Sequence, residues 1–573
     1  MISDVFFARI RFLYAVVFCA GLLLGSRLLF VQIIRGETFS QEADAQYAVP
    51  IADSFSRGTI YFRNKDGSRG DQAAMLKNGF SLAINPRVLE NPKETFQKIQ
   101  ALVPDIDEAA FFLKVGKKND PYEKVASRLS SETATAIQAL RIPGLSLLEE
   151  QWRYYPSGTL AAHVLGFVGS DGEGLSGQYG VERYYDHVLA RDGKDMSVNF
   201  FAEIFANLGN SFFYDNASSR EGNVVLSIEP EVNRFLGNVL DETLKKWKVV
   251  RGGGIIMNPA TGEIYAMESR PTFDPNMFQD GDAYAAFANP LVENVFELGS
   301  IMKPLTIAFA IDAGAITSQS VYEDTGVIEI NGAKISNYDG KARGATRIQE
   351  ILNQSLNLGA VYVMRKTGKE SFARYMRALG FGEETGIDLP NESPGLLNNL
   401  HSKRDIEYAT ASFGQGVAVT PIAMVRALSA LANGGILVTP RVVSRIDYEG
   451  GTSKEVIYGD EKRVLKKETS EEVTRMLVKT VDEALSGGKV KLPHWSIAAK
   501  TGTAELPSPD GGYYDDKFLH SFFGYFPAYD PQFLVFLYSI NPQGAHFASE
   551  TLTLPFMDIA KFLISYYEIP PDR

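Results

Sequence analysis

Phe296-Glu-Leu-Gly-Ser300-Ile-Met-Lys303-Pro304 runs into an apolar stretch, residues 305–313, that stops at Gly314. Read as a helix starting near Ser300, this segment sets Ser300 and Lys303 one turn apart on one face, because residues three apart are neighbours on a helix surface. A serine hydroxyl is a poor nucleophile until a base takes its proton, and a lysine kept neutral by burial or by a second cation is such a base. The helix start also offers backbone N–H groups of the kind that stabilise a developing oxyanion. Ser486-Gly-Gly-Lys489 has the same spacing, but it runs through a glycine pair into Leu492-Pro493, so no helix carries its serine. Pro304 cannot donate to the Ser300 carbonyl, which requires a tight first turn.

The 573 residues suffice for two or three domains, and 45% hydrophobic with 22% charged residues is ordinary for globular protein. A net charge of −12 argues against nucleic acid as the main partner. The single cysteine excludes a disulfide framework, and six scattered histidines offer no metal-ligand spacing, so neither metal nor cofactor is implied.

Residues 12–34 carry one charge, Arg27. As a helix they would span about 34 Å against a hydrocarbon core of about 30 Å. Arg9 and Arg11 precede them, so the positive-inside rule places the N-terminus in the cytoplasm and the bulk of the chain outside it. A cleaved signal peptide is the alternative, disfavoured because the apolar pattern resumes at residues 28–34 and no small-x-small cleavage site is evident.

Farther along, residues 56–61 and the Asn64-Lys-Asp-Gly67 turn predict a hairpin, and residues 94–103 and 131–140 predict amphipathic helices. Residues 195–223 fit no pattern. A strand at 223–229 leads into a helix over 231–246, then apolar strands at 254–257 and 263–267 joined by a turn at 258–262. Helical spacing marks 347–354, 358–366 and 369–379. Beta patterns return at 495–504, 521–526 and 533–540, and a helix over 555–567 closes the chain. Strands at both ends with helices between predict an α+β fold around one central antiparallel sheet flanked by helices. The predicted division is 1–35 as cytoplasmic tip and membrane anchor, 36–222 as an elongated α+β domain, and 223–573 as the domain carrying Ser300.

Ser355-Leu-Asn357 falls between two helical segments, where a hydroxyl and an amide can face a cleft. Lys500-Thr-Gly-Thr503 lies in a strand, where its cation and hydroxyls suit a carboxylate and Gly502 allows close approach of a ligand. Each pattern has a decoy: Ser197-Val-Asn199 precedes the domain, and Lys366-Thr-Gly368 ends a helix as a cap.

Taken together and in this order, Ser-x-x-Lys, Ser-x-Asn and Lys-Thr-Gly are the set shared by penicillin-binding proteins and class A β-lactamases. The chain resembles a class B penicillin-binding protein, a membrane-anchored peptidoglycan D,D-transpeptidase. Arg57-Gly-Thr-Ile60, Arg153-Tyr-Tyr-Pro-Ser-Gly158 and Gly180-Val-Glu-Arg183 resemble the family's pedestal, or dimerisation-type, domain. Residues 258–267, Pro271-Thr-Phe-Asp-Pro-Asn276, Ser412-Phe-Gly-Gln-Gly416 and Thr420-Pro421 resemble segments of its transpeptidase domain. Ala499 departs from the glycine usual before Lys-Thr-Gly.

The resemblance implies Ser300 as nucleophile, Lys303 as base and Ser355 as proton relay. It implies Asn357 as the group holding Lys303 or a peptide carbonyl, and Lys500, Thr501, Gly502 and Thr503 as the carboxylate site, with the N–H groups of Ser300 and Thr503 as the oxyanion hole. It further implies stem peptides as substrates, β-lactams as covalent inhibitors and a SEDS-family membrane glycosyltransferase, with other division or elongation proteins, as partner. Residues 355–359 and 520–527 look closer to division than to elongation enzymes. A D,D-carboxypeptidase, a β-lactamase or sensor, and a non-catalytic scaffold share enough of the pattern to stay open.

Overall fold

Along the strand Phe533–Ile540, Phe533, Val535 and Leu537 belong to one buried cluster and Leu534, Phe536 and Tyr538 to another. Side chains alternate across a strand, so this nearly all-apolar run is one whose two faces are both covered. The same division holds on the neighbouring Tyr513–Phe526, with Phe522 and Phe526 on one side and Phe523 and Tyr525 on the other.

The structure is a computed structural model that describes residues 56–170, 175–191, 221–277, 286–457, 462–509 and 511–573, with residues 18 and 21. The expected membrane segment, 12–34, and nearly all of the unassigned 195–223 stretch lie outside the described residues. Among the described residues no helix is long and apolar enough to cross a membrane.

Five strands form the predicted antiparallel sheet, in the order Ala498–Pro507, Tyr513–Phe526, Phe533–Ile540, Arg251–Met257, Ile264–Arg270. Helices Pro230–Trp247 and Thr553–Tyr566 cover one face, where Phe235 stacks on Phe562 at 4.0 Å. The other face packs against Lys303–Asp312, Pro421–Ala432 and Lys467–Lys479, whose apolar residues share its core. Ala498–Pro507 is left as an edge strand, and against this edge lies the turn before Ser300. Gly299 has φ +64, and a Cβ there would come within 2.6 Å of the Thr503 carbonyl, so only glycine fits.

Contact density divides the described residues from 56 onward into two compact units, residues 78–152 and residues 56–77 with those from 153 onward. This division differs from a boundary near Gly222. In the smaller unit, Glu123–Leu129 pairs with the second half of Arg69–Ile84, and three helices pack Phe96, Phe111 and Ile137 over the strands. Two of those helices start on side-chain caps, Asp107 accepting from the Ala110 N–H and Ser130 from the Thr133 N–H.

In the larger unit, Ile60–Arg63 pairs antiparallel with the start of Arg69–Ile84 and parallel with Gly222–Leu226. The strand predicted near residue 223 therefore joins a second sheet. Beside it, Arg57 and Arg153 each donate from Nε to one oxygen of the fully buried Glu182 at 2.6 Å. Two guanidiniums against one carboxylate, with Asp186 at 2.8 Å from Arg57, bring three separately noted sequence segments to one point.

Candidate active site

The Ser300 segment is a short 3₁₀ turn, Gly299–Met302, followed by the α-helix Lys303–Asp312. The Lys303 N–H bonds back three residues to the Ser300 carbonyl. That tight closure supplies the donor Pro304 lacks, and Pro304 then sits at the start of the α-helix, where no N–H is needed. Ile301 and Met302 are buried, anchoring the turn, while Ser300 stays partly open to a cleft of about 840 Å³. The N–H of Ser300, at the start of the turn, has no partner within it.

Lys303 is wholly buried. Its Nζ donates to the Ser355 carbonyl at 2.6 Å, to Ser355 Oγ at 3.2 Å and to Asn357 Oδ1 at 2.8 Å. Ser355 has φ +57, unusual for a non-glycine residue, and this turns both its carbonyl and its hydroxyl toward the same amine. The predicted loop is thus three residues, 354–356, with the left-handed Ser355 at their centre, between Gln349–Asn353 and Asn357–Thr367. Asn337 Oδ1 accepts from the Leu358 N–H and the Ser336 carbonyl accepts from Asn357 Nδ2, which fixes the helix start and aims Oδ1 at Lys303.

Lys500 Nζ donates to Ser355 Oγ at 3.1 Å and to the Thr501 carbonyl at 2.8 Å. One hydroxyl thus stands between two buried amines. Burial and then the Lys500 charge push Lys303 well below the ordinary lysine range, and burial alone pushes Lys500 down to about 7. Among the described residues the Ser300 hydroxyl makes no hydrogen bond, and Lys303 is spent on three acceptors.

Ser300, Ser355, Asn357, Lys500, Thr501 and Thr503 all line the cleft. Thr503 Oγ1 accepts from the Ala548 N–H at 3.1 Å, leaving its own proton to give. Gly502 does not line the cleft: a Cβ there would meet Ser521 Oγ at 2.3 Å and the Leu298 carbonyl at 2.6 Å, so the close approach it permits is by the Ser300 segment. Ala499 faces Gly524 across the ladder, and its methyl fills the space that glycine leaves.

Several cleft residues escaped sequence reading, among them Tyr338, Thr410, Gln415, Tyr513 and Phe547. Only the 412–416 segment carried a signal, as a family-like stretch without a role. Chemically, the arrangement offers a hydroxyl one turn from a depressed lysine, a second hydroxyl between two amines, and a cation with hydroxyls on an open strand edge.

Residues 252–558 match the family "Penicillin binding protein transpeptidase domain" and residues 53–199 match "Penicillin-binding Protein dimerisation domain". Stage V sporulation protein D of Bacillus subtilis (strain 168) is 31% identical over 560 residues, 96% of this chain and 84% of that one. A peptidoglycan D,D-transpeptidase FtsI homolog of Mesostigma viride is 27% identical over 596 residues, 99% of this chain and 97% of that one. The crystal structure of penicillin binding protein 3 from Mycobacterium tuberculosis, complexed with aztreonam, superposes with a TM-score of 0.67 at 24% identity, covering 91% of this chain and 98% of that one.

Proposed function

Because this chain belongs to the penicillin-binding protein transpeptidase family, we propose that it is a peptidoglycan D,D-transpeptidase, cross-linking stem peptides through a serine acyl-enzyme with D-Ala as the leaving group. The observation that carries the reading is the convergence of Ser300, the Ser355–Asn357 pair and the Lys500–Thr503 edge on one cleft.

The three donations of Lys303 use every proton of its charged form. Once neutral, it keeps two, to the Ser355 carbonyl and Asn357, and its lone pair takes the proton of Ser300 as Oγ attacks the penultimate D-Ala carbonyl. The depressed lysine range supports that role. The carbonyl oxygen becomes an oxyanion held by the N–H groups of Ser300 and Thr503. Ser355 passes a proton from the lysine side to the departing D-Ala nitrogen, and Lys500, Thr501 and Thr503 hold the terminal carboxylate by charge-assisted bonds. An amine from a neighbouring stem then resolves the ester into the cross-link.

The 12–34 segment anchors the chain in the plasma membrane with its catalytic domain outside the cytoplasm. Domain limits of 36–222 and 223–573, a SEDS-family glycosyltransferase partner and a role in septal wall synthesis complete the reading. β-Lactams acylate Ser300. Labelling with a fluorescent penicillin tests it: Ser300→Ala loses the covalent label, and a label that persists refutes the assignment. Septal against lateral localisation of a fluorescent fusion separates division from elongation.

A further inference from the structure

Glu297 stands three residues before Ser300, and among the described residues no lysine or arginine forms a salt bridge with it. A half-buried carboxylate without a cation is costly, and such a group bonded to a cleft-lining residue is where a cationic ligand is expected. Its carboxylate instead accepts from the hydroxyl of Tyr513, at 3.1 Å to Oε1 and 2.9 Å to Oε2. Tyr513 lines the same cleft as Ser300, and so does Glu505, which shares a strand face with Thr501 and Thr503 by the two-residue alternation. The cleft is therefore bipolar: a lysine with two threonines on one stretch of the strand edge, and the Glu505 carboxylate with the Tyr513 phenol farther along it, the phenol donating to Glu297. Burial pushes the Glu297 carboxyl above its ordinary range, against the downward pull of the Tyr513 hydroxyl and the Gly416 backbone, which favours proton uptake.

Resting on the transpeptidase reading above, we infer that Glu297, oriented by Tyr513, binds the ammonium of the acceptor stem peptide and takes its proton, so that a neutral amine attacks the acyl-enzyme. The protons balance. R–NH3+ gives one to the Glu297 carboxylate, and the nitrogen lone pair forms the C–N bond to the ester carbonyl. The bond from that carbon to Ser300 Oγ breaks, the second nitrogen proton returns to Ser300 through Lys303, and Glu297 releases its proton to solvent. Neither Lys303 nor Lys500 suits the first step, since a cationic amine is repelled from the amine-lined end of the cleft.

The test follows the full chain turning over an N-acyl-D-alanyl thioester donor, with thiol release reporting acyl-enzyme formation. Products are divided into hydrolysis and aminolysis by two acceptors: Nα-acetyl-lysine amide, whose amine is charged at neutral pH (pKa about 10.4), and hydroxylamine, which is uncharged there. In Glu297→Gln the ratio of aminolysis to hydrolysis falls about 100-fold for the lysine amide but less than about threefold for hydroxylamine, the signature of a lost general base. Tyr513→Phe keeps the carboxylate, loses its orientation and moves the ratios in the same direction by less. An unchanged lysine-amide ratio with normal thiol release overturns the inference and leaves the transpeptidase reading standing. An equal fall for both acceptors in both variants marks structural damage and also overturns it. No thiol release from the unmodified protein refutes the transpeptidase reading itself.

Discussion

The Ser355 hydroxyl lies 3.1 Å from the Lys500 ammonium, and its other side faces Lys303 at 3.2 Å. On the proposed mechanism, two depressed lysines in one site give kcat/KM for acylation two limbs. Below its lowered pKa Lys303 holds a proton and cannot take that of Ser300, so the rate falls on the acid side. As pH rises through about 7 Lys500 loses its charge and its hold on the donor carboxylate, so the rate falls on the alkaline side. A bell-shaped profile of second-order acylation by a carboxylate-bearing β-lactam is expected, and Lys500→Arg, which cannot deprotonate, removes its alkaline limb.

Asn357 offers Lys303 a neutral acceptor at 2.8 Å. Asn357→Asp places a charge there with little change of shape, which holds the proton on Lys303 and raises its pKa by about one to three units. The acid limb of the profile moves up by the same amount, and acylation on the acid side of that limb slows about tenfold for each unit. A uniform loss of rate with an unmoved limb would show that Asn357 does not act on the lysine's proton.

Much of this site was legible because its chemistry repeats at short spacing. Ser300 and Lys303 are three apart on a segment whose apolar run declares a helix, and the strand bearing Lys500 shows its alternation. The positive φ of Ser355 was not legible, since a serine announces no left-handed backbone and tertiary contacts hold it there. Gly502 was read as room for a ligand, whereas the space it leaves is taken by Leu298, which is 204 positions away (502 − 298) and outside any local pattern. The Glu297–Tyr513 pair, 216 residues apart, and the meeting of Arg57, Arg153 and Glu182 are likewise products of topology. The strand after Gly222 was legible as a strand but not in its partner, because pairing with Ile60–Arg63 is set by the fold of both segments.

Gly502 makes that close approach testable. In Gly502→Ala the added methyl must displace Ser521 Oγ or the Leu298 carbonyl, either of which moves the turn holding Ser300. Overpacking of this kind costs about 1–3 kcal/mol of stability. A 1 Å shift of a nucleophile costs about 100-fold in rate. Penicillin acylation is therefore expected to fall far more than the midpoint of urea unfolding does. Equal losses would place the methyl's effect on folding rather than on the nucleophile.

The last relationship concerns stability rather than chemistry. Glu182 is fully buried, and although burial alone would raise its carboxyl, Arg153 and Arg57 hold it below the ordinary range. A carboxyl depressed by folding contributes stability above its unfolded pKa and gives it up as pH falls through the folded value. The larger unit should therefore resist mild acid and lose stability only well below the usual carboxylate range. Glu182→Gln keeps the shape but leaves two buried guanidiniums facing a neutral amide, a loss of about 3–5 kcal/mol. Replacing Arg153 by Met in the same chain removes one of the stranded charges and should recover part of that loss, so the double variant is more stable than Glu182→Gln alone. Urea unfolding of the three chains at pH 7 reads the order directly. A double variant less stable than the single one would show that Arg153 stabilises through its bond to the Gly58 carbonyl more than it costs as an unpaired charge.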